Sequence, residues 1–335
     1  MTCFRYCISS YLKAFSQRSD ITVEQEDIAL GFGPNDGGDF TLRSHDGVNF
    51  HIHSPILRQS SPFFDGLVSF GSGEPIVTLT EDARTIRLML GFIYFAKELP
   101  TIEDYVTLEN SLEIARKYEI TAMTSLLRSM FWTENSPVHM RKNPIAAYEV
   151  ACVFGFEDVE KACYQHCIRT INLNDNRTIT DILPLCRHPR YILPLIAKLA
   201  KRRAIITETL HAIYAFPMNL VSSQWDATHI IRETLASRLV CEACLKSYTD
   251  TVHSTVSWQM FWVDRAYQVL VRRPMDECAH VFEVGFLCKP YDEDEDVTVF
   301  CEDCFTHIQL KNHKTWENWA QIVRETLETK LGDCM

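Results

Sequence analysis

Residues 50–64 read FHIHSPILRQSSPFF. His51 and His53 stand two apart, and a strand would put both side chains on one face within reach of one metal. Ser60 and Ser61 follow, which raises the alternative of a serine nucleophile with a histidine base. Neither chemistry develops. No further ligand lies close by in the sequence, and no third group is present to orient a histidine–serine pair. The periodicity carries more weight: Val48, Phe50 and Ile52 alternate with Asn49, His51 and His53, as in a half-buried strand. SSPFF then reads as a helix start, with a serine accepting from free N–H groups and Pro62 at an early helical position.

The neighbouring segments extend this pattern. FTLRSHDG alternates through Phe40 and Leu42 and ends in a turn signal. PIVTLTED reads as a strand leading into a helix capped by Thr80, with Glu81 and Asp82 favouring its dipole. Apolar residues at spacings of three and four predict helices over 83–96 (Ile86, Leu90, Ile93, Tyr94), 105–118 (Leu108, Leu112, Ala115, Tyr118) and 121–132 (Met123, Leu126, Leu127, Met130). Strand, strand, helix, strand and then helices make an α+β domain of roughly 95 residues.

On these residues the chain resembles the BTB/POZ family over about 37–133. The pattern F-x-x-H-x-x-x-L-x-x-x-S-x-x-F is met by Phe50, His53, Leu57, Ser61 and Phe64, with Asp39, Tyr94, Ala115 and Tyr118 at further family positions. The long chain with a helical remainder is similar to BTB proteins of mushroom-forming fungi. The resemblance implies a short β-sheet flanked by helices, self-association as a homodimer, and in some members binding of a cullin to present a substrate for ubiquitin transfer. It makes His53 a support of the strand-to-helix corner. Two departures stand out. Ser54 replaces the basic residue that zinc-finger members pair with the early aspartate. The loop FGSGEP, with Ser72 and Gly73 before Glu74, lacks the apolar-x-Glu motif of cullin binders.

Around this domain, residues 1–36 read as a flexible tail. Its first 19 residues hold Arg5, Lys13, Arg18 and no acid, faintly like a transit peptide. GFGPNDGG, residues 31–38, lacks the Lys-Ser/Thr ending of a phosphate loop and reads as a linker. Residues 137–235 read as a helical region resembling the BACK-related pair that often follows a BTB fold. Ala147, Val150 and Ala151 would face Val159, Ala162 and Cys163, with Cys152, Cys163 and Cys167 as small buried hydrophobes. Residues 191–215 continue with Leu195, Ile196, Leu199 and Ile206, while Pro184, Pro189, Pro194 and Pro217 mark helix starts or breaks. Arg187, Arg190, Lys198, Lys201, Arg202 and Arg203 read as a solvated helix face.

Residues 236–335 hold the strongest metal signal. Cys241 and Cys244 form CEAC; Cys301 and Cys304 form CEDC. Two Cys-x-x-Cys turns complete a tetrahedral zinc shell, with sulfur about 2.3 Å from the metal. The 56 intervening residues exceed the spacer of about 15–20 in compact zinc ribbons, so they must fold as a layer of their own. Trp258, Phe261, Trp262, Arg265, Ala266 and Val269 give a helix, and strands at HVFEVGFL and VTVF would return Cys301 towards Cys241. Cys278, His280, Cys288 and His307 are spare ligands. Reduced structural cysteines and a redox pair are the alternatives, the latter without thioredoxin-like context. YDEDED, residues 291–296, lacks the alternating ligands and glycine of a calcium loop and reads as a solvated loop. Trp316, Trp319, Ala320, Val323, Leu327 and Leu331 make one stripe of a C-terminal amphipathic helix.

Composition bounds the function. A net charge of −11 over 335 residues opposes a sequence-independent grip on nucleic-acid phosphates. No run of about 18 apolar residues appears, so no membrane span is expected. Thirteen cysteines, without a secretory signal, point to a reducing compartment, cytoplasm or nucleus. Nucleophile elbow, His-Glu-x-x-His, phosphate-loop and dinucleotide motifs are all missing. The expectation is therefore a non-enzymatic protein–protein interaction protein, a BTB homodimer serving as substrate adaptor in a ubiquitin ligase complex. The alternative is a nuclear transcription-regulatory or chromatin-associated protein with a zinc-stabilised C-terminal module.

Overall fold

The computed structural model describes residues 31–70, 76–94, 99–173, 175, 180, 186–215, 239–244, 246, 257–287 and 301–332. Two units divide the chain, Met1–Lys142 and Asn143–Met335. The first is built on a three-stranded sheet of order β2-β1-β3. Strands β1 (Phe40–Arg43) and β2 (Asn49–Ile52) pair antiparallel, Leu42 opposite Phe50. The HDG turn between them closes through hydrogen bonds of Ser44 with Val48, and Gly47 supplies a φ of 91° that favours glycine. Helices α1 (Ser54–Ser60) and α2 (Pro62–Phe70) make the crossover that lets β3 (Ile76–Thr78) run parallel to β1. Helices α3 (Ala83–Ile93), α4 (Tyr105–Lys117) and α5 (Thr121–Ser129) follow. Leu42, Phe50, Ile52, Leu57, Phe64, Ile86, Leu90, Leu108, Leu112 and Leu127 are buried.

Two readings change here. Asp82, not Thr80, caps α3, accepting from the Thr85 N–H at 2.8 Å. Asp82 immediately precedes the first helical residue, so its carboxylate meets the free N–H groups, while Thr80 accepts from Lys117. Residues 31–36 are held rather than loose. Phe32 is 5% exposed, its carbonyl accepts from His51 N–H at 2.7 Å, and its ring meets Tyr94 edge-on at 5.1 Å. One aromatic side chain docks a glycine-rich segment that composition alone marks as a linker. Residues 1–30 and the loop 71–75, with Glu74, lie outside the described residues.

In the second unit Asn143 caps α6 (Pro144–Phe154) and Gly155, at φ 71°, ends it in the left-handed conformation. Helix α7 (Glu157–Thr170) follows, burying Val159, Cys163 and Cys167. Burial raises the thiol pKa of Cys152 to about 11 and also raises those of Cys163 and Cys167, as for hydrophobic, unreactive thiols. Pro189 starts α8 (Pro189–Ala215), but Pro194 lies inside it. The helix continues because Ile192, Leu195, Leu199, Ile206 and Leu210 bury one face, which offsets one lost backbone hydrogen bond. Nor are its basic residues all solvated: Arg202 is 6% exposed and donates to the Arg273 carbonyl at 2.8 Å. Pro184 and Pro217 lie outside the described residues.

Helix α9 (Ser257–Leu270), three 3-10 turns over 275–287, α10 (Glu302–Lys311) and α11 (His313–Gly332) complete the unit. The expected strand at HVFEVGFL is instead turns at Ala279–Phe282 and Val284–Leu287. The Val281 carbonyl accepts from the Trp262 indole at 2.9 Å, a bond across the core in place of a strand ladder. VTVF and YDEDED lie outside the described residues. Trp258, Trp262, Trp316 and Trp319 form one aromatic core, with ring centres 5.0–5.2 Å apart. All six residues of the C-terminal stripe are buried in it.

Glycine at 38 is required by space. A Cβ there would stand 2.3 Å from the Ile52 nitrogen and 2.5 Å from the His51 carbonyl carbon, both backbone atoms. Gly38→Ala should destabilise the first unit by about 1–3 kcal/mol, seen as an earlier denaturant midpoint. An unchanged midpoint would contradict this close approach.

Candidate metal centre

The corner that follows β2 is assembled from polar contacts among distant residues. Asp39 accepts from the Ser54 backbone N–H at 2.7 Å and from its hydroxyl at 2.6 Å. Ser54 thus supplies a neutral partner where a cation is expected, and its two hydrogen bonds hold the Asp39 pKa below the ordinary aspartate value. The exposed His53 donates its backbone N–H to the Tyr94 hydroxyl at 2.6 Å. His51 lies beside Thr41, Nδ1 to Oγ1 3.3 Å. Ser61 donates its hydroxyl to the Tyr118 carbonyl and accepts from Phe64 N–H. Phe64 stacks on Tyr118 at 5.2 Å, and Tyr118 donates to Glu81, which also pairs with Lys117. Leu57 and Ala115 are buried beside this joint. The serine and both histidines are engaged in architecture.

Residues 34–135 match the family model described as BTB/POZ domain. This segment is a BTB/POZ domain. No curated protein matches the chain. BTB/POZ domains are protein–protein interaction modules, and the match covers less than a third of the chain, leaving the second unit to be read from its own geometry.

There, Cys241, Cys244, Cys301 and Cys304 converge, all four sulfurs within 4.8 Å of one another. Among the described residues no other group of three or more histidine, cysteine or acidic side chains does so. Cys301 stands at the N-cap of α10 and Cys304 in its first turn. Cys241 likewise precedes a helical turn at 242–244. Helix starts direct free N–H groups and positive potential at thiolates, and the Cys241 N–H donates to the Cys304 sulfur at 3.3 Å. The Cys241 and Cys301 sulfurs are 3.7 Å apart. That is far from a disulfide bond of about 2.05 Å and close to the edge of roughly 3.8 Å for a tetrahedron with Zn–S about 2.3 Å.

Electrostatics within the cluster are asymmetric. Burial opposes ionisation of Cys241, but the Cys244 N–H and the surrounding thiols outweigh it and hold its pKa below the ordinary thiol value. Burial and the neighbouring Cys241 push Cys244 up to about 11, and burial raises Cys304 further. Ionising a second thiol beside the first brings two like charges together unless a cation lies between them. The spare candidates are elsewhere: Cys278 donates to the Pro274 carbonyl, His280 packs on Phe286, and His307 bonds Asn312. Cys288 lies outside the described residues. Sequence reading missed the docking of Phe32 and the Asp39–Ser54 pair, whose only signal was an aspartate at the family position beside a hydroxyl.

Because its folded pKa is depressed, Asp39 contributes stability that is present above the ordinary aspartate pKa and lost as pH falls through the lower folded value. In Ser54→Ala the Asp39 carboxyl should titrate nearer its ordinary value, as followed by NMR of its side-chain carbon. An unmoved titration would show that Ser54 does not hold it.

Proposed function

We propose that the protein is a non-enzymatic interaction protein that self-associates through its BTB/POZ domain and carries a second unit closed by a structural zinc ion. The domain match supports the first part, since association is what this domain class does. The convergence of four sulfurs in two Cys-x-x-Cys turns supports the second. The donor set fits zinc: four soft sulfur ligands within 4.8 Å of one another, partly sheltered from solvent. A fully occupied four-thiolate shell offers no open position to a substrate, so the metal would supply folding free energy, on the order of 10 kcal/mol or more.

Within this reading the protein acts as a substrate adaptor for a cullin-type ubiquitin ligase. The domain class supports it, while the loop in which cullin binders carry their motif, 71–75, lies outside the described residues. A nucleic-acid-facing role for the cysteine module is disfavoured by Glu242, Glu302 and Asp303, all exposed beside the sulfurs, because phosphate backbones are held by cations. Reduced thiols and an intracellular compartment complete the proposal, as four-thiolate zinc sites need thiols kept from oxidation. Among the described residues, no helix is long and apolar enough to cross a membrane.

Sedimentation of the full chain tests this directly. At roughly 20 µM, where sub-micromolar interfaces are nearly saturated, a dimer is expected, and adding a cullin N-terminal region should give a heavier species. A strict monomer would remove the self-association claim, and a dimer indifferent to the cullin would remove the adaptor claim alone.

A further inference from the structure

The second unit contains a cavity of about 310 Å³, at the lower end of the ~300–1,000 Å³ of small-ligand sites. Arginine dominates its polar lining. Arg169 comes from α7, Arg202 and Arg203 from α8, and Arg272 from the turn after α9, with apolar walls such as Ile168 and Leu199. Arg169 is paired with Glu277. The other three have no carboxylate partner among the described residues. Arg202, although 6% exposed, uses one N–H on the Arg273 carbonyl. Arg203 reaches only the Tyr267 hydroxyl, at 3.1 and 3.2 Å. Among the described residues, no acidic side chain lines the cavity.

A chain of net charge −11 thus gathers four arginines around one open cavity, with Arg202 buried in its wall and Arg169 and Arg272 at its exposed rim. Burying a guanidinium without a counter-charge is costly, and desolvation lowers the Arg202 pKa against the weaker opposing effects of Tyr164 and Cys278. Guanidiniums recognise oxyanions through paired N–H donors. Three unpaired cations match a dianion better than a monoanion, and a phosphate monoester carries about −1.5 to −2 at neutral pH. The volume exceeds what a bare phosphate fills, and its apolar walls suit a hydrocarbon group. We propose that this cavity is a binding site for a phosphate monoester bearing an apolar group, either a free small molecule or a phosphorylated side chain of a partner protein.

Calorimetric titration of the full chain tests the site with phenyl phosphate, inorganic phosphate, benzyl alcohol and a short phosphotyrosine peptide. One-site binding of phenyl phosphate is expected, stronger than that of inorganic phosphate or benzyl alcohol. Losing one charge-assisted contact should weaken it on the order of 10- to 100-fold. Arg202 is buried in the fold, so Arg272→Gln carries the comparison: Arg272 is exposed, and unchanged thermal unfolding would show the fold intact. Binding of the peptide as well would identify a modified side chain as the source; binding of phenyl phosphate alone would identify a free small molecule. The proposal is overturned by no saturable binding up to about 10 mM, a range that detects even millimolar affinity. It is equally overturned by affinity unchanged in Arg272→Gln, or by inorganic phosphate binding as tightly as phenyl phosphate.

Discussion

Four sulfurs meet in the second unit, and a metal held between them would be the constraint on which the rest of that unit depends. They bring the 241–244 turn to the start of α10, and α10 leads directly into α11, whose stripe closes the tryptophan core. Cys241 and Cys304 are themselves members of that core, continuous with Trp258 and Trp316. A spacer of 56 residues between the pairs is long for a zinc site but not prohibitive, because loop-closure entropy grows only with the logarithm of length. The spacer also folds: α9 and the turns after it pack against the same aromatic cluster.

The BTB/POZ unit solves its own closure differently. Ser61, Phe64 and Tyr118 join the α1–α2 corner to the end of α4 through hydrogen bonds and ring stacking. Both ends of that joint sit on regular elements with large buried faces, so no cross-link is needed. The proposed association and the proposed metal cross-link therefore fall to different units, and the arginine-lined cavity belongs to the second.

Sequence periodicity exposed what depends on one element at a time. The α11 stripe and the alternation of Val48, Phe50 and Ile52 are local patterns, and each is buried in the structure. The cysteine pairs were legible because Cys-x-x-Cys fixes its own geometry, although their approach to each other depends on tertiary packing. Features that join distant segments were hidden. Arg202 follows the spacing of a solvated face, yet α9 and its following turn cover it. Val281, Phe282, Phe286 and Leu287 read as a strand because apolar runs do not distinguish a strand from turns wrapped on a tryptophan. Phe32 carried no periodicity at all. Thr80 and Asp82 are both good caps, and only the position of the helix start separates them.

Zinc X-ray absorption on the purified full chain, combined with metal content, tests the four-thiolate centre most directly. The account predicts about one zinc per chain, with four sulfur neighbours at about 2.3 Å and no nitrogen or oxygen shell. Negligible zinc with all four thiols freely titratable, or zinc bound mainly by nitrogen and oxygen, would contradict it.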